Sequence, residues 1–215
     1  MHFHIITLFP EAFSGYLHES ILKRAITQKK VTVSFYNPKD FEPNKKKRID
    51  DRPYGGGPGM VLRPEPVLRA IEKAIGKKRR DTVEIVWFEP HAQEFSNTIA
   101  DEYIAHKKHL VLVCGRYEGI DARVKEIMNA TPMSIGPYTL TGGELPAMVV
   151  IDAVSRRIKG VLGDACSVEE RRVAARDVYT RPETLVWKKK HHSVPEVLKT
   201  GHHAKIDEWK RATKD

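Results

Sequence analysis

Residues 134–148 read SIGPYTLTGGELPAM and place Gly136, Gly142 and Gly143 among small polar residues. Glycine has no Cβ atom, so it reaches strained backbone conformations and lets main-chain groups approach a ligand closely. The apolar run 149–154 follows directly, and a buried helix is predicted over 147–159. This stretch therefore predicts a tight ligand-binding loop that leads into a buried helix.

A second glycine-containing loop lies earlier in the chain. The apolar, strand-like run 109–113 is followed by CGRYEGID at 114–121, which contains Gly115 and Gly119. Open α/β sheets bind ligands outside the carboxyl ends of their strands. Since both loops follow a predicted strand, they predict a ligand site at this end of a sheet.

Strands alternate with helices along most of the chain, which predicts an α/β fold with a mostly parallel sheet covered on both faces. A basic segment rich in proline and glycine, 37–59, is predicted to be a long loop. Beyond residue 162 the apolar pattern weakens and charge rises. We predict a first domain over 1–162, a linker over 163–175 and a small basic helical domain over 176–215. The other predicted strands are 4–8, 31–36, 82–88 and 110–113, and the other predicted helices are 10–28, 64–75 and 95–106.

The charge of the chain favours a polyanionic partner. Its 215 residues carry a formal net charge of +9, and basic runs occur at 45–48, 77–80 and 188–190. Basic side chains that neutralise phosphates release counterions and so give affinity for nucleic acid whatever its sequence. Each run taken alone is also typical of a solvated loop. Composition does not distinguish RNA from DNA or from an acidic membrane surface.

Several classes of protein are disfavoured. No apolar run approaches the length of a membrane span, and the first residues lack the layout of a signal peptide, so we expect a cytoplasmic protein. Cys114 and Cys166 lack CxxC spacing, and reduced thiols are expected. The histidine pairs 191–192 and 202–203 are adjacent rather than four residues apart, so no metal site is predicted.

Four motifs resemble the bacterial tRNA (guanine-N1)-methyltransferase family, TrmD. They are YGGGPGM at 54–60, GRYEGIDAR at 115–123, SIGPYTLTGGELPAM at 134–148 and YTRP at 179–182. The resemblance extends from the opening MHFHIITLFPEAF to GHHAKIDEW at 201–209. It implies a SPOUT-class fold with a deep trefoil knot in the C-terminal half of the first domain. It also implies a homodimer with the active site at the subunit interface.

The resemblance further implies an activity and the residues that serve it. Members transfer a methyl group from S-adenosylmethionine to N1 of the guanosine on the 3′ side of the tRNA anticodon, and the small domain contacts the anticodon arm. The positions that match the cofactor site are Pro90, Gly115, Arg116, Tyr117, Glu118, Gly119, Ile135, Gly136, Tyr138, Leu140, Gly142 and Gly143. The positions that match substrate contacts are Asp50, Tyr54, Gly59, Met60 and His202. For Asp50, an ordinary turn aspartate is an equally good interpretation.

Methylation at N1 of guanine needs a base that removes a proton and a cation that stabilises negative charge at O6. Arg156 matches the catalytic arginine of the family, with Arg157 and a purely structural helix-end charge as alternatives. The family's aspartate in Asp-Ser-Phe has no counterpart in 167–178. Glu169 and Glu170 are the carboxylates nearest in sequence to the missing aspartate and are the first candidates for the base, and Asp177 is the second. No metal is chemically required, although magnesium, associated with some members, is a possible cofactor.

Two further departures accompany this one. Pro137 stands where the family usually has an aspartate, and 89–93 read EPHAQ in place of a Ser-Pro-Gln-Gly segment. The missing aspartate keeps two alternatives open. One is a tRNA-binding protein that has lost catalysis, and the other is an RNA methyltransferase with a different target.

Overall fold

A computed structural model describes residues 1–44, 46–162 and 177–212. The chain divides into two compact units, Met1–Leu162 and Gly163–Asp215. The strands of the first unit are β1 (His2–Ile6), β2 (Thr32–Tyr36), β3 (Asp50–Asp51), β4 (Val61–Leu62), β5 (Val83–Phe88), β6 (His109–Val113) and β7 (Thr131–Met133). Five of them form one parallel sheet in the order β2-β1-β6-β5-β7, and β3 pairs with β4 outside it.

Helices cover both faces of this sheet. One face buries Phe3 and Leu112 beneath the helices at 20–27, 97–106 and 144–155, and the other buries Ile6 and Val111 beneath the helices at 64–75 and 123–128. This arrangement confirms the predicted α/β fold. The helices of the first unit are α1 (Ser14–Leu17), α2 (Ser20–Thr27), α3 (Pro64–Ile75), α4 (Asn97–His106), α5 (Arg123–Met128) and α6 (Glu144–Ser155), with 3₁₀ turns at Pro10–Phe13, Pro38–Phe41 and Arg80–Thr82.

Helix α3 has the predicted bounds because both of its ends carry strong local signals. Pro64 occupies the first turn, where its missing N–H would have no helical partner. Gly76 ends the helix at a φ of +54°, and its N–H donates to the carbonyl of Glu72 at 2.8 Å. The apolar side chains between these ends face the sheet and are buried.

The prediction of one helix over 10–28 is wrong. The segment contains a 3₁₀ turn, α1 and α2, with a break where Glu19 is extended and Ser20 has a φ of +48°. Ser20 therefore starts α2 in a new direction, which lets Leu17 and Leu22 both reach the core. Apolar spacing alone does not reveal such a change of direction.

The prediction for α6 is displaced along the chain. The helix begins at Glu144 instead of residue 147, since Pro146 still lies in the first turn, where proline is tolerated. It ends at Ser155 instead of residue 159, and Arg156 is its C-cap. Arg156 therefore lies at the end of the helix and not within it.

The second unit contains a β-hairpin as well as helices, which differs from the predicted helical domain. Strands β8 (Thr184–Trp187) and β9 (Lys190–Ser193) pair antiparallel, and α7 (Glu196–Lys199) and α8 (His203–Ala212) follow. Lys188 and Lys189 form the turn with φ values of +48° and +63°. Glycine or asparagine usually takes these conformations, so the lysines gave no turn signal.

No helix in the described ranges is long and apolar enough to cross a membrane.

Candidate active site

A cavity of about 390 Å³ lies at the carboxyl ends of β5, β6 and β7. Phe88, Val113 and Met133, the last residues of these strands, line it. All of the residues matched to the cofactor site line the same cavity, namely Pro90, Gly115, Arg116, Tyr117, Glu118, Gly119, Ile135, Gly136, Tyr138, Leu140, Gly142 and Gly143. The tertiary structure therefore brings both glycine loops and Pro90 together around one space.

The two glycine loops are held together through their backbones. The N–H of Gly143 donates to the carbonyl of Gly115 at 3.0 Å, and Gly142 forms a β-bridge with Arg116. A Cβ atom on Gly143 would lie 2.6 Å from the Cα atom of Cys114. No larger residue fits at Gly143 unless one of the backbones moves.

Cys114 lies beneath this junction and is buried. Burial raises the pKa of its thiol well above the usual range. The thiol therefore stays protonated at neutral pH, and its packing rather than its reactivity accounts for its place in the site.

The second loop is also braced internally. The hydroxyl of Ser134 accepts from the N–H of Gly136 at 3.1 Å, and the hydroxyl of Tyr138 donates to the carbonyl of Ile135 at 3.0 Å. Gly136 has a φ of +150°, and the Tyr138 ring occupies the space that a Cβ atom would need. These contacts hold residues 134–138 together from within the loop.

Glu144 is a buried site residue that sequence reasoning missed. Its Oε1 accepts from the hydroxyl of Thr7 at 2.8 Å, and its Oε2 lies 2.9 Å from Nε of Arg116. The contact with Arg116 is an ion pair without hydrogen-bond alignment. The Arg116 guanidinium also lies 4.7 Å from the centre of the Phe9 ring. These contacts fix the arginine at the rim of the cavity.

A second ion pair lines the cavity wall. Lys125 Nζ lies 2.8 Å from Oε2 of Glu89, and both side chains are about one-third exposed, at 34% each. Glu89 belongs to the segment that departs from the usual family pattern. It places a carboxylate beside Pro90 at one end of the cavity.

The segment matched to RNA binding packs against the first glycine loop. The carbonyl of Met60 accepts from the N–H of Glu118 at 3.0 Å, and the N–H of Leu62 donates to the carbonyl of Gly119 at the same distance. Gly59 has a φ of +81°, and a Cβ atom there would lie 2.6 Å from Oε1 of Glu118. Gly59 and Met60 therefore lie directly beside the cofactor loop.

The other predicted substrate residues have different surroundings. Asp50 is buried in β3, and its Oδ1 accepts from Nε of Arg48 at 2.9 Å, so its carboxylate is already paired. Tyr54 is fully exposed. His202 is exposed and precedes α8 in the second unit.

The predicted catalytic residues lie in three different parts of the chain. Arg156, at the end of α6, lies outside the cavity lining. Helix α6 rises about 1.5 Å per residue, so Arg156 lies about 18 Å along the axis from Glu144. Asp177 is exposed in the second unit. Glu169 and Glu170 fall outside the described residues.

Arg157, the alternative catalytic arginine, is buried between helices. The side chain of Arg157 is buried, its Nε lies 3.1 Å from Oδ1 of Asp101, and its Nη1 donates to the carbonyl of Ala153. These contacts join α6 to α4. They give Arg157 a structural role at this junction.

An α/β domain whose glycine loops enclose a cavity at the carboxyl ends of parallel strands belongs to the class of nucleotide- and cofactor-binding domains. The family model described as tRNA (Guanine-1)-methyltransferase TrmD matches residues 1–215. The chain belongs to this family.

Individual relatives agree with this assignment. The tRNA (guanine-N(1)-)-methyltransferase of Clostridioides difficile (strain 630) is 42% identical over 215 residues, which cover 98% of this chain and 91% of the relative. The enzyme of the same name from Carboxydothermus hydrogenoformans is 44% identical over 211 residues, which cover 96% of this chain and 80% of the relative. The crystal structure of tRNA (m1G37) methyltransferase from Aquifex aeolicus matches with a TM-score of 0.77 and 37% identity, covering 98% of this chain and 87% of that one.

Proposed function

We propose that the protein transfers the methyl group of S-adenosylmethionine to N1 of the guanosine on the 3′ side of the tRNA anticodon. The observation that carries this proposal is the cavity at the carboxyl ends of β5, β6 and β7, which gathers all the cofactor residues matched from sequence. Family membership supplies the reaction and the substrate class.

The cavity fits S-adenosylmethionine in size and chemistry. Its volume of about 390 Å³ lies within the range of small-molecule sites, roughly 300–1,000 Å³. Gly142 and Gly143 let the two loops pack closely against each other at the cavity, and Glu89 and Glu118 place carboxylates at the wall. The cofactor supplies an electrophilic methyl group, so the protein must provide orientation, a base and a cation.

The proton on N1 of guanine is weakly acidic, so a carboxylate within hydrogen-bond distance is needed to remove it. We propose Glu170 or Glu169 as this base, with Asp177 as the second choice. As the proton leaves, negative charge develops at O6, where a guanidinium donates directed hydrogen bonds. Arg156 supplies that group in the proposal.

A homodimer explains how Arg156 can serve a cavity at the other end of its helix. Leu145 and Val149 are 54% and 45% exposed and lie on one stripe of α6 with Asp152 and Arg156. An isologous pairing sets identical stripes against each other. If the two α6 helices are antiparallel, the Arg156 end of one lies beside the Glu144 end of its partner.

The exposed apolar surface near α6 supports this interface. Tyr16 is 48% exposed, and its hydroxyl donates to a carboxylate oxygen of Asp152 on the same stripe. Phe9, under the Arg116 guanidinium, is also partly exposed. A second subunit on this surface would bury the apolar stripe and complete the active site.

The substrate of the proposed reaction is the anticodon arm of tRNA. The net charge of +9 favours a polyanion, and Tyr54 lies fully exposed in the segment that ends beside Glu118. N1 of guanine takes part in base pairing, so the target base must be turned out of its stack to reach a methyl donor. We propose that 54–60 contact the RNA.

The test is methyl transfer from labelled S-adenosylmethionine to an unmodified tRNA transcript with guanosine after the anticodon, with and without magnesium. Nuclease mapping identifies the modified base. Glu169→Gln, Glu170→Gln and Asp177→Asn are measured beside the wild type, together with tRNA binding. We expect N1 methylation by the wild type and its loss in one variant that still binds tRNA. Binding of cofactor and tRNA without transfer would contradict the proposal and favour a binding protein.

A further inference from the structure

Three histidines meet at the amino ends of β1 and β6, at the opposite end of the sheet from the active-site cavity. His2 and His4 lie on one face of β1, because side chains alternate along a strand. His109 begins β6 and is paired in register with His2, which places it on the same face. Sequence reasoning missed this group, since residues 4 and 109 are far apart in the chain.

The ring nitrogens have a spacing that suits a metal ion. Nε2 of His4 lies 3.3 Å from Nδ1 of His109, and one nitrogen from each of the three rings lies within 4.8 Å of the others. A tetrahedral zinc site with metal–nitrogen bonds of about 2.0–2.1 Å has its ligand nitrogens about 3.4 Å apart. The His4–His109 pair already has this spacing. The ring of His2 stacks on that of His4 with centroids 3.8 Å apart, so the His2 ring must rotate for both to bind one ion.

Further side chains orient two of the rings. Nδ1 of His4 lies 3.1 Å from the hydroxyl of Tyr36, and Nε2 of His2 lies 2.9 Å from the hydroxyl of Ser34. Metal-bound histidines generally use their second nitrogen in such a bond, which fixes the tautomer and the ring orientation. These bonds leave Nε2 of His4 and Nδ1 of His2 for an ion.

The cluster is open to solvent on one side. His2 and His109 line a cavity of about 430 Å³ together with Met1, Lys107 and Lys108. Positive groups repel a bare cation but attract an anionic ligand on a bound one. Part of the charge is already balanced, since Lys107 Nζ lies 2.9 Å from Oε2 of Glu84. Lys78 Nζ nearby donates to the carbonyls of Ala74 and Ile75.

We propose that His2, His4 and His109 bind one divalent ion of the zinc type, with its fourth position open to this cavity for water or a small anion. Three imidazoles with one open position are a common ligand set for zinc. The ion would join β1 to β6 at the end of the sheet that the active site does not use. It would stabilise the fold by binding only the native state.

The test is a zinc titration of the full chain, prepared without a histidine tag, against a chromophoric chelator. His2→Asn and His109→Asn each remove one partly exposed ligand, and Tyr36→Phe removes the hydroxyl that orients His4. His18→Asn is the matched control, because His18 is exposed on α1's C-cap. The exposed pairs 191–192 and 202–203 stay in every variant, so their weak binding is a common background.

We expect the wild type and His18→Asn to bind one zinc ion tightly and to give the intense visible spectrum of tetrahedral cobalt when Co²⁺ is used. Tyr36→Phe should bind about tenfold more weakly, as for other groups that orient a ligand, and His2→Asn and His109→Asn should lose the site. Circular dichroism in the presence of chelator shows that each variant folds. Zinc affinity equal to the wild type in both His2→Asn and His109→Asn would overturn the proposal.

Discussion

Replacing Gly143 with alanine tests whether the close contact between the two glycine loops shapes the active site. The φ and ψ angles of Gly143 are −81° and −2°, which alanine adopts without strain. Any effect must therefore come from the added methyl group. That atom would lie 2.6 Å from Cα of Cys114 and 3.1 Å from the backbone nitrogen of Gly115. The N–H of Cys114 donates to the carbonyl of Ile6 in β1 at 2.9 Å, which anchors Cys114 to the sheet, so we expect the loop at Gly143 to move instead.

Inserting a methyl group into such a packed contact costs about 1–3 kcal/mol. For a chain of this length, that corresponds to a fall in Tm of about 2–12 °C. The displaced loop should also weaken S-adenosylmethionine binding, measured by calorimetry. Gly15→Ala is the control, since no atom lies within 4 Å of its added Cβ and alanine in a helix stabilises by about 0.5–1 kcal/mol. If Gly143→Ala matches Gly15→Ala in Tm and cofactor affinity, the steric reasoning is wrong.

Two further substitutions test the ion pair and the proposed interface. Glu144→Gln keeps an acceptor for Thr7 but removes the negative charge beside Arg116. We expect the free energy of unfolding in urea to fall by about 1–3 kcal/mol. This is less than for a fully buried pair, because the arginine side chain is 25% exposed. Unchanged unfolding would show that the pair is not stabilising. Val149→Lys places a charge in the apolar stripe of α6, and we expect a monomer in sedimentation that binds S-adenosylmethionine but does not methylate tRNA. A dimer of normal activity would exclude this stripe as the interface.

The sequence by itself determined the features that depend on neighbouring residues. The bounds of α3 follow from Pro64 and Gly76, and strands β2, β5 and β6 follow from their apolar, β-branched runs. The two glycine loops were predicted to form one ligand site, because glycine allows backbones to approach closely, and the cofactor positions implied by the family resemblance all line the cavity. Here the local signal and the tertiary requirement agree.

Local signals were weaker where tertiary contacts set the outcome. Ser20, Lys188 and Lys189 have left-handed backbone conformations. Serine and lysine rarely adopt these conformations, so the sequence does not predict the break or the turn. The turn joins β8 to β9 and contains the lysine run 188–190, which is also typical of a solvated loop. Helix α6 begins at Glu144, before Pro146, although the sequence predicts a start after that proline.

Only the tertiary structure decided which distant side chains meet. Glu144 is buried where Thr7 and Arg116 reach it from other segments, and Arg157 pairs with Asp101 of α4. His4 and His109 lie on neighbouring strands although they are 105 residues apart. Such pairings depend on the order of strands in the sheet, and that order results from the packing of all the elements together, so no short stretch of sequence specifies it.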